Sequence, residues 1–147
     1  EYEDFIDSVI WFEKDVVGQG TVLIKLYFSV DKEEQARRFE IRRTDPLRQW
    51  KLSEIDVQAQ ERWNEFTQVK YEMLKKTHTV DSPWTIIRSH CKDKARLNAM
   101  KVILKSVPYQ KLNPDLDLVP DPDIVISGAR ELEIMEAELL EKGEFTL

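Results

Sequence analysis

The chain has 147 residues, 41% of them hydrophobic and 34% charged, and a formal net charge of −6, which is the size and make-up of one soluble globular domain. No run of 18 apolar residues occurs, which excludes a membrane-spanning helix, and the acidic surplus argues against a nucleic-acid binder, whose basic field is normally wide. The single cysteine, Cys91, cannot form an intramolecular disulfide and points to a reducing, cytoplasmic setting.

Residues 2–16 carry Phe5, Val9, Phe12 and Val16, a 4-3-4 spacing that makes one face of a helix. The opening is acidic and periodic, unlike a signal peptide. It also starts without methionine inside a patterned segment, so the expectation is a piece of a longer protein. Gly18 and Gly20 end the helix. Residues 21–29, TVLIKLYFS, are apolar on both faces, with only Lys25 interrupting, and read as a buried parallel strand.

Asp31 stands three residues before Glu34, a capping-box spacing, so a helix is expected over about 32–43. Pro46 breaks it, and Asp45 is turned away from helical geometry by the proline that follows. Ser53 and Asp56 repeat the capping pattern and open a long helix to about 77, with the stripe Ile55, Ala59, Trp63, Phe66, Val69 and Met73. WTIIRS, 84–89, reads as a second short buried strand. A helix over about 92–106 carries Ala95, Ala99, Val102 and Ile103, with Pro108 just beyond. Residues 112–126 hold Pro114, Pro120 and Pro122 among acids and read as an extended connection. Residues 128–142 form an acidic helix with the stripe Leu132, Met135 and Leu139, packed either on this chain or on a neighbouring subunit.

The order of elements implies an α/β fold with a parallel sheet. Two such apolar strands need neighbours, because a sheet averages about five strands. Either several copies share one sheet, or the missing strands belong to a part of the protein outside these residues; the second is more economical.

RRFEIRRTDPLRQWKLS, 37–53, concentrates Arg37, Arg38, Arg42, Arg43, Arg48 and Lys51 against only Glu40 and Asp45. Arg38 and Arg42 share a helix face, while Arg48 and Lys51 lie beyond the Pro46 break. Arginine forks match phosphate oxygens in pairs, and a hinged basic segment can close over a polyanion. The plainer alternative is a solvated face in which Glu33, Glu34 and Glu40 pair with Arg37, Arg38 and Arg43. The two histidines, His78 and His90, have no metal-ligand spacing, and His90 beside Cys91 is poor geometry for an activated nucleophile.

The wording of three stretches resembles the polyphosphate kinase type 2 family. They are IKLYFSVDKEEQARRFEIRRTDPLRQWKLSEID, RWNEFTQVKYEMLKKTHTVDSPWTIIRS and KARLNAMKVILKSVPY. RRF, the DPL-x-x-WKLS run, SPW at 82–84 and KARLN at 94–98 carry it, over about residues 2–110. The resemblance implies the C-terminal portion of a P-loop kinase-like three-layer α/β/α fold with a parallel sheet and a helical lid at about 37–53. Residues 1–110 would form that part, and 111–147 an extended connection and an acidic helix. It also implies a cytoplasmic, oligomeric enzyme that moves a terminal phosphoryl group between inorganic polyphosphate and a nucleotide with Mg2+. The lid cations Arg37, Arg38, Arg42, Arg43, Arg48 and Lys51 would bind phosphate. Arg42 and Lys51, flanking the break, are the expected catalytic pair; Lys70, Lys92 and Arg96 are lesser phosphate-binding candidates. Phe39 and Trp50 are expected to pack.

The family's Walker A and Walker B motifs are not in this sequence; Gly18-Gln19-Gly20 does not fit G-x-x-x-x-G-K-[ST]. They would lie upstream of residue 1, so the chain alone should be inactive. His90 and Cys91 stand where the family often has an acidic pair, and Tyr71 and His78 where it often has an acid. WKLS and RSHCKDKARLN look like the branch that phosphorylates nucleoside diphosphates. A non-catalytic polyanion-binding or assembly fragment, or an ATP-dependent P-loop nucleotide kinase, are the alternatives.

Overall fold

The computed structural model describes residues 2–110, 113, 115–143 and 145. Helix α1 (Tyr2–Gly18) leads to strand β1 (Lys25–Ser29) and helix α2 (Lys32–Thr44). A 3-10 turn (Gln49–Lys51) and helices α3 (Glu54–Glu61) and α4 (Trp63–Thr77) follow, then strand β2 (Trp84–Arg88), helix α5 (Lys92–Ser106), strand β3 (Val125–Ser127) and helix α6 (Gly128–Lys142). The sheet order is β1-β2-β3. β1 and β2 are parallel, with Tyr27 opposite Ile86, and β3 runs antiparallel to β2, with Ile126 opposite Ile86.

The sheet is therefore small and mixed. The expected purely parallel pairing is corrected by β3, whose first two residues fall at the end of the stretch read as an extended connection. Three residues among prolines are too short to announce a strand, and their pairing is supplied by β2. Leu112 and Pro114 of that stretch lie outside the described residues. β1 is also shorter than the expected 21–29, beginning only at Lys25.

Neighbouring residues on a strand point to opposite faces, and both Ile86 and Ile87 are fully buried, so β2 is covered on both sides. One core gathers Leu74, Ile86, Met135 and Phe145, with Tyr27, Tyr71, Met73, Trp84, Ile126 and Leu132 around it. Helix α6 thus packs on its own chain. Its end is set by Gly143, whose φ of 72° is the left-handed geometry that glycine tolerates. Beyond that turn Phe145 is buried, 5.5 Å from the Tyr71 ring centroid.

Two expected helix faces are rotated. On α1 the stripe Phe5 and Phe12 is exposed, while Ile6 and Glu13 are buried. The long helix is two helices, broken at Arg62 (φ −107°, ψ 32°). Of its expected stripe Trp63 is buried, but Ile55, Phe66 and Val69 are exposed, and Thr67, Lys70, Leu74 and Thr77 face inward.

Charge explains both rotations. Lys25 Nζ, buried in β1, bonds Glu13 Oε2 at 2.7 Å and the Thr77 carbonyl at 2.6 Å; Ser82 Oγ donates to the same Glu13 oxygen at 2.7 Å. Lys70 Nζ lies 2.5 Å from Glu131 Oε1 and Arg88 Nη2 lies 2.6 Å from Glu131 Oε2, and Glu131 has no exposed surface. Buried ions must be paired, so these pairs select which helix face turns inward.

Removing one partner of such a network leaves a charge buried, so Glu131→Ala is expected to lose about 3–5 kcal/mol in urea unfolding. A Cβ on Gly128 would clash with His78 Nδ1 and sit 2.9 Å from Trp84 Cβ. Gly128→Ala should cost about 1–3 kcal/mol by overpacking, read as a lower unfolding midpoint.

Candidate functional site

Strand β2 ends at Arg88 and leads through Ser89, His90 and Cys91 into α5. Helix α2 passes that end. Its side chains at 34, 38 and 42 lie four apart and share a face, with 37 and 41 beside them. Asp31 caps α2, accepting from the Glu34 N–H at 2.8 Å. Asp45, at φ −90° and ψ 111°, ends it in extended geometry before Pro46. The 3-10 turn brings Arg48 and Lys51 back, and the Ser53–Asp56 capping box starts α3.

These elements enclose an open cleft of about 630 Å³ lined by Glu34, Arg37, Arg38, Ile41, Arg42, Arg48, Lys51, His90, Cys91 and Lys92. Six of the lining residues are cations and one is a carboxylate. It lies at the carboxyl end of β2, where open α/β sheets bind ligands. The structure thus brings together Arg37, Arg38, Arg42, Arg48, Lys51 and Lys92. Three other candidates lie elsewhere. Arg43 is exposed and bonds Glu40 at 3.0 Å. Arg96 is exposed beside Asp93 at 3.3 Å. Lys70 belongs to the buried Glu131 network. Trp50, expected to pack, is 78% exposed, and its ring carries the Lys51 ammonium at 5.1 Å. Phe39 is half-buried under the Arg42 guanidinium at 5.3 Å.

α2 has no buried side chain, so polar contacts hold it to the body. Arg38 carries much of this: it bonds Glu34 at 2.7 Å and donates to the Ser89 carbonyl and, at 3.2 Å, to the His90 carbonyl. His90 Nε2 lies 2.6 Å from Asp31 Oδ2. Arg37 bonds Glu34 at 2.6 and 2.8 Å, Arg42 Nη1 reaches Asp56 Oδ2 at 3.2 Å, and Arg48 meets Asp45 at 3.0 Å. Among the described residues Lys51 and Lys92 have no carboxylate partner.

The titration behaviour follows from this geometry. Hydrogen bonding from Arg37, with Arg38 behind it, lowers the Glu34 carboxyl from 4.5 to about 2. The Glu34 backbone N–H, with His90, holds Asp31 below the usual carboxylate range. Lys92 is pushed down by desolvation and then by the charges of Arg38, Arg42, Arg48 and Lys51. Asp31 and Asp56 stood out in the sequence only as caps; that they also hold His90 and Arg42 depends on contacts across the fold, whereas the Glu34 pairs with Arg37 and Arg38 are the local ones the sequence offered. The cleft suits an extended anion with several oxygens. It does not suit Mg2+, because its one lining carboxylate already serves two arginines. Among the described residues no group of three His, Cys, Asp or Glu side chains could hold a metal ion.

A carboxyl whose folded pKa is depressed stabilises the fold above its unfolded pKa and loses that contribution as pH falls through the folded value. The stability gap between the unmodified chain and Glu34→Gln should therefore be full at pH 7 and close between about pH 4.5 and 2, followed by urea unfolding. Lys92→Met removes a repelled cation. It should raise the unfolding midpoint at neutral pH while weakening tripolyphosphate binding several-fold at low salt, a trade of stability against function.

The sequence model of the family Polyphosphate kinase 2 (PPK2) matches residues 1–115. NDP-polyphosphate phosphotransferase 2 of Ruegeria pomeroyi is 42% identical over 138 residues, which is 94% of this chain and 40% of that protein. Polyphosphate kinase PPK2B of Corynebacterium glutamicum is 39% identical over 132 residues, 90% of this chain and 43% of that one. The crystal structure of Polyphosphate Kinase 2 from Arthrobacter aurescens TC1 matches 91% of this chain and 46% of its own with a TM-score of 0.67; at 24% identity it shows the shared fold. The chain spans less than half the length of these relatives. By the family match over most of its length, supported by these relatives, the chain belongs to the polyphosphate kinase 2 family.

Proposed function

We propose that the chain supplies the lid and C-terminal half of a cytoplasmic polyphosphate-dependent nucleotide kinase. In this reading the enzyme transfers a terminal phosphoryl group reversibly from inorganic polyphosphate to a nucleoside diphosphate, giving the triphosphate. The observation that carries it is the convergence of six cations, drawn from both sides of the Pro46 bend and from α5, on one cleft. The names of the relatives agree with it: an NDP-, a GDP- and an ADP-polyphosphate phosphotransferase are among them.

Phosphoryl transfer depends mostly on positioning and on offsetting charge. Lys51 and Lys92, without carboxylate partners among the described residues, would meet phosphate oxygens first. Arg37 and Arg48 would exchange surface ion pairs for bidentate phosphate contacts, and Arg42 would keep Asp56 and present its other edge. Arg38 would act mainly as the strut that keeps α2 against the end of β2. Arg42 and Lys51 are the residues proposed to face the transferring group. Arg43, Arg96 and Lys70 point to other partners and are left out of the clamp.

The phosphate cradle and the carboxylates for Mg2+ are proposed to lie in a part of the protein beyond these 147 residues, consistent with relatives more than twice as long. That part would extend the sheet at β1, an edge strand among the described residues, and cover the exposed Phe5 and Phe12 of α1. Another copy in a homo-oligomer could cover the same face.

The test is ATP formation from long-chain polyphosphate, Mg2+ and ADP by a protein carrying the whole family domain. Arg42→Ala should lower turnover about a hundredfold, the usual cost of losing one donor to a developing charge, with little change in unfolding midpoint. Equal turnover would remove Arg42 from the reaction. The 147-residue chain alone should form no ATP but should bind polyphosphate, with an affinity that falls steeply as salt rises.

A further inference from the structure

The arginine at the centre of the proposed clamp is held by one carboxylate, and the geometry points to Asp56 as the positioning residue for Arg42. This inference rests on the anion-binding reading of the cleft and adds to it a residue that touches no phosphate.

Three observations converge on Asp56. Arg37, Arg38 and Arg48 each have a carboxylate three or four residues away in the chain. Arg42 instead reaches across the Pro46 bend, fourteen residues along, to Asp56 at the start of α3. Among the described residues this is the ion pair that joins α2 to α3. Second, the Asp56 carboxylate is itself held. Its Oδ2 accepts the Ser53 N–H at 3.0 Å as well as Arg42 Nη1 at 3.2 Å, and the Asp56 N–H donates to Ser53 Oγ at 3.2 Å. The capping box thus fixes the rotamer of the acceptor, and the acceptor limits the guanidinium. Third, the Arg42 guanidinium carbon lies over the Phe39 ring, 5.3 Å from its centroid, while the side chain remains 30% exposed. The ring and Asp56 together leave the other guanidinium edge free for the cleft, which Arg42 lines.

An arginine has many rotamers, and ordering them on binding costs affinity. Asp56 orders Arg42 beforehand. The pair also closes the arm: with α2 lacking buried side chains, the Arg42–Asp56 contact, together with the Gln60 amide donating to Gln35 at 2.6 Å, fixes how the two sides of the Pro46 bend face one another. The Asp56 carboxylate therefore acts on ligand binding through Arg42, whereas the helix cap acts on stability.

The experiment is calorimetric titration of the 147-residue chain with inorganic tripolyphosphate at low ionic strength, for the unmodified chain and for Asp56→Ala, Asp56→Asn, Ser53→Ala, Arg42→Ala and Arg42→Ala/Asp56→Ala. Unfolding midpoints are measured on the same samples. Asp56→Ala should weaken binding about tenfold, the scale of one hydrogen bond to a charged group. In the Arg42→Ala background the same change should have almost no effect, because the residue it acts through is gone. Asp56→Asn retains an oxygen acceptor for the cap, so it keeps the arm folded, and should still weaken binding. Ser53→Ala, which removes only the hydroxyl side of the cap, should lower the midpoint and leave affinity unchanged.

An equal loss from Asp56→Ala in both backgrounds, or a matching affinity loss from Ser53→Ala, would overturn the positioning role and make Asp56 a cap alone. Asp56→Asn binding as tightly as the unmodified chain would overturn it too. Absence of tripolyphosphate binding by the unmodified chain is a different result: it would overturn the anion-binding reading of the cleft and this inference with it.

Discussion

A carboxylate with no exposed surface sits between two cations, and the arrangement of the body depends on it. Glu131 of α6 bonds Lys70 of α4 and Arg88 of β2. An unpaired carboxylate at that depth would carry a desolvation penalty of several kcal/mol, so all three elements must meet in one register. Met135, one turn further along α6, then falls into the core with Leu74 and Ile86. Arg88 is also the last residue of β2, so the network sets where the strand ends and where the loop into α5 begins. The cleft is built on that loop.

The second ionic centre, Lys25 with Glu13 and Ser82, joins α1 to β1 and to the turn before β2. Both centres put lysines where apolar residues would be expected. The body is thus specified by charge pairing as much as by apolar burial. The arm formed by α2, the 3-10 turn and α3 is built differently. It has no buried side chain in α2 and depends on caps, ion pairs and Arg38's bonds to the Ser89 and His90 carbonyls. Elements held by few apolar contacts open most readily, which suits the proposed role of admitting and releasing a charged chain.

Gathering six cations raises a repulsion that the fold has to contain. It does so with carboxylates: Glu34, which lines the cleft, and Asp45 and Asp56, which do not. Lys92 is pushed down first by desolvation and then by the repulsion that is left among these cations. A polyanion entering the cleft would relieve it, so part of the binding free energy is prepared in the unliganded chain. The acidic remainder of the protein keeps this field local, and an overall charge of −6 is compatible with a strongly basic site.

Local signals were readable from residues alone. The limits of α2, α5 and α6, both caps at Asp31 and Ser53, and the break at Pro46 follow from capping chemistry and from proline's effect on its neighbour, which act within four residues. The basic segment and the family wording were legible for the same reason, being written contiguously. The inward faces of α1 and α4, the strand β3, the partner of Lys70 and the contact of Arg42 with Asp56 were not. Each depends on a residue 12 to 69 positions away. Periodicity names an apolar stripe but does not say whether an ion pair elsewhere will turn another face inward. Sequence determined which segments are helical and where the cations are; tertiary structure decided which of them share a cleft, because charges that lie side by side in the chain diverge around a helix and only long-range pairing brings the chosen ones together.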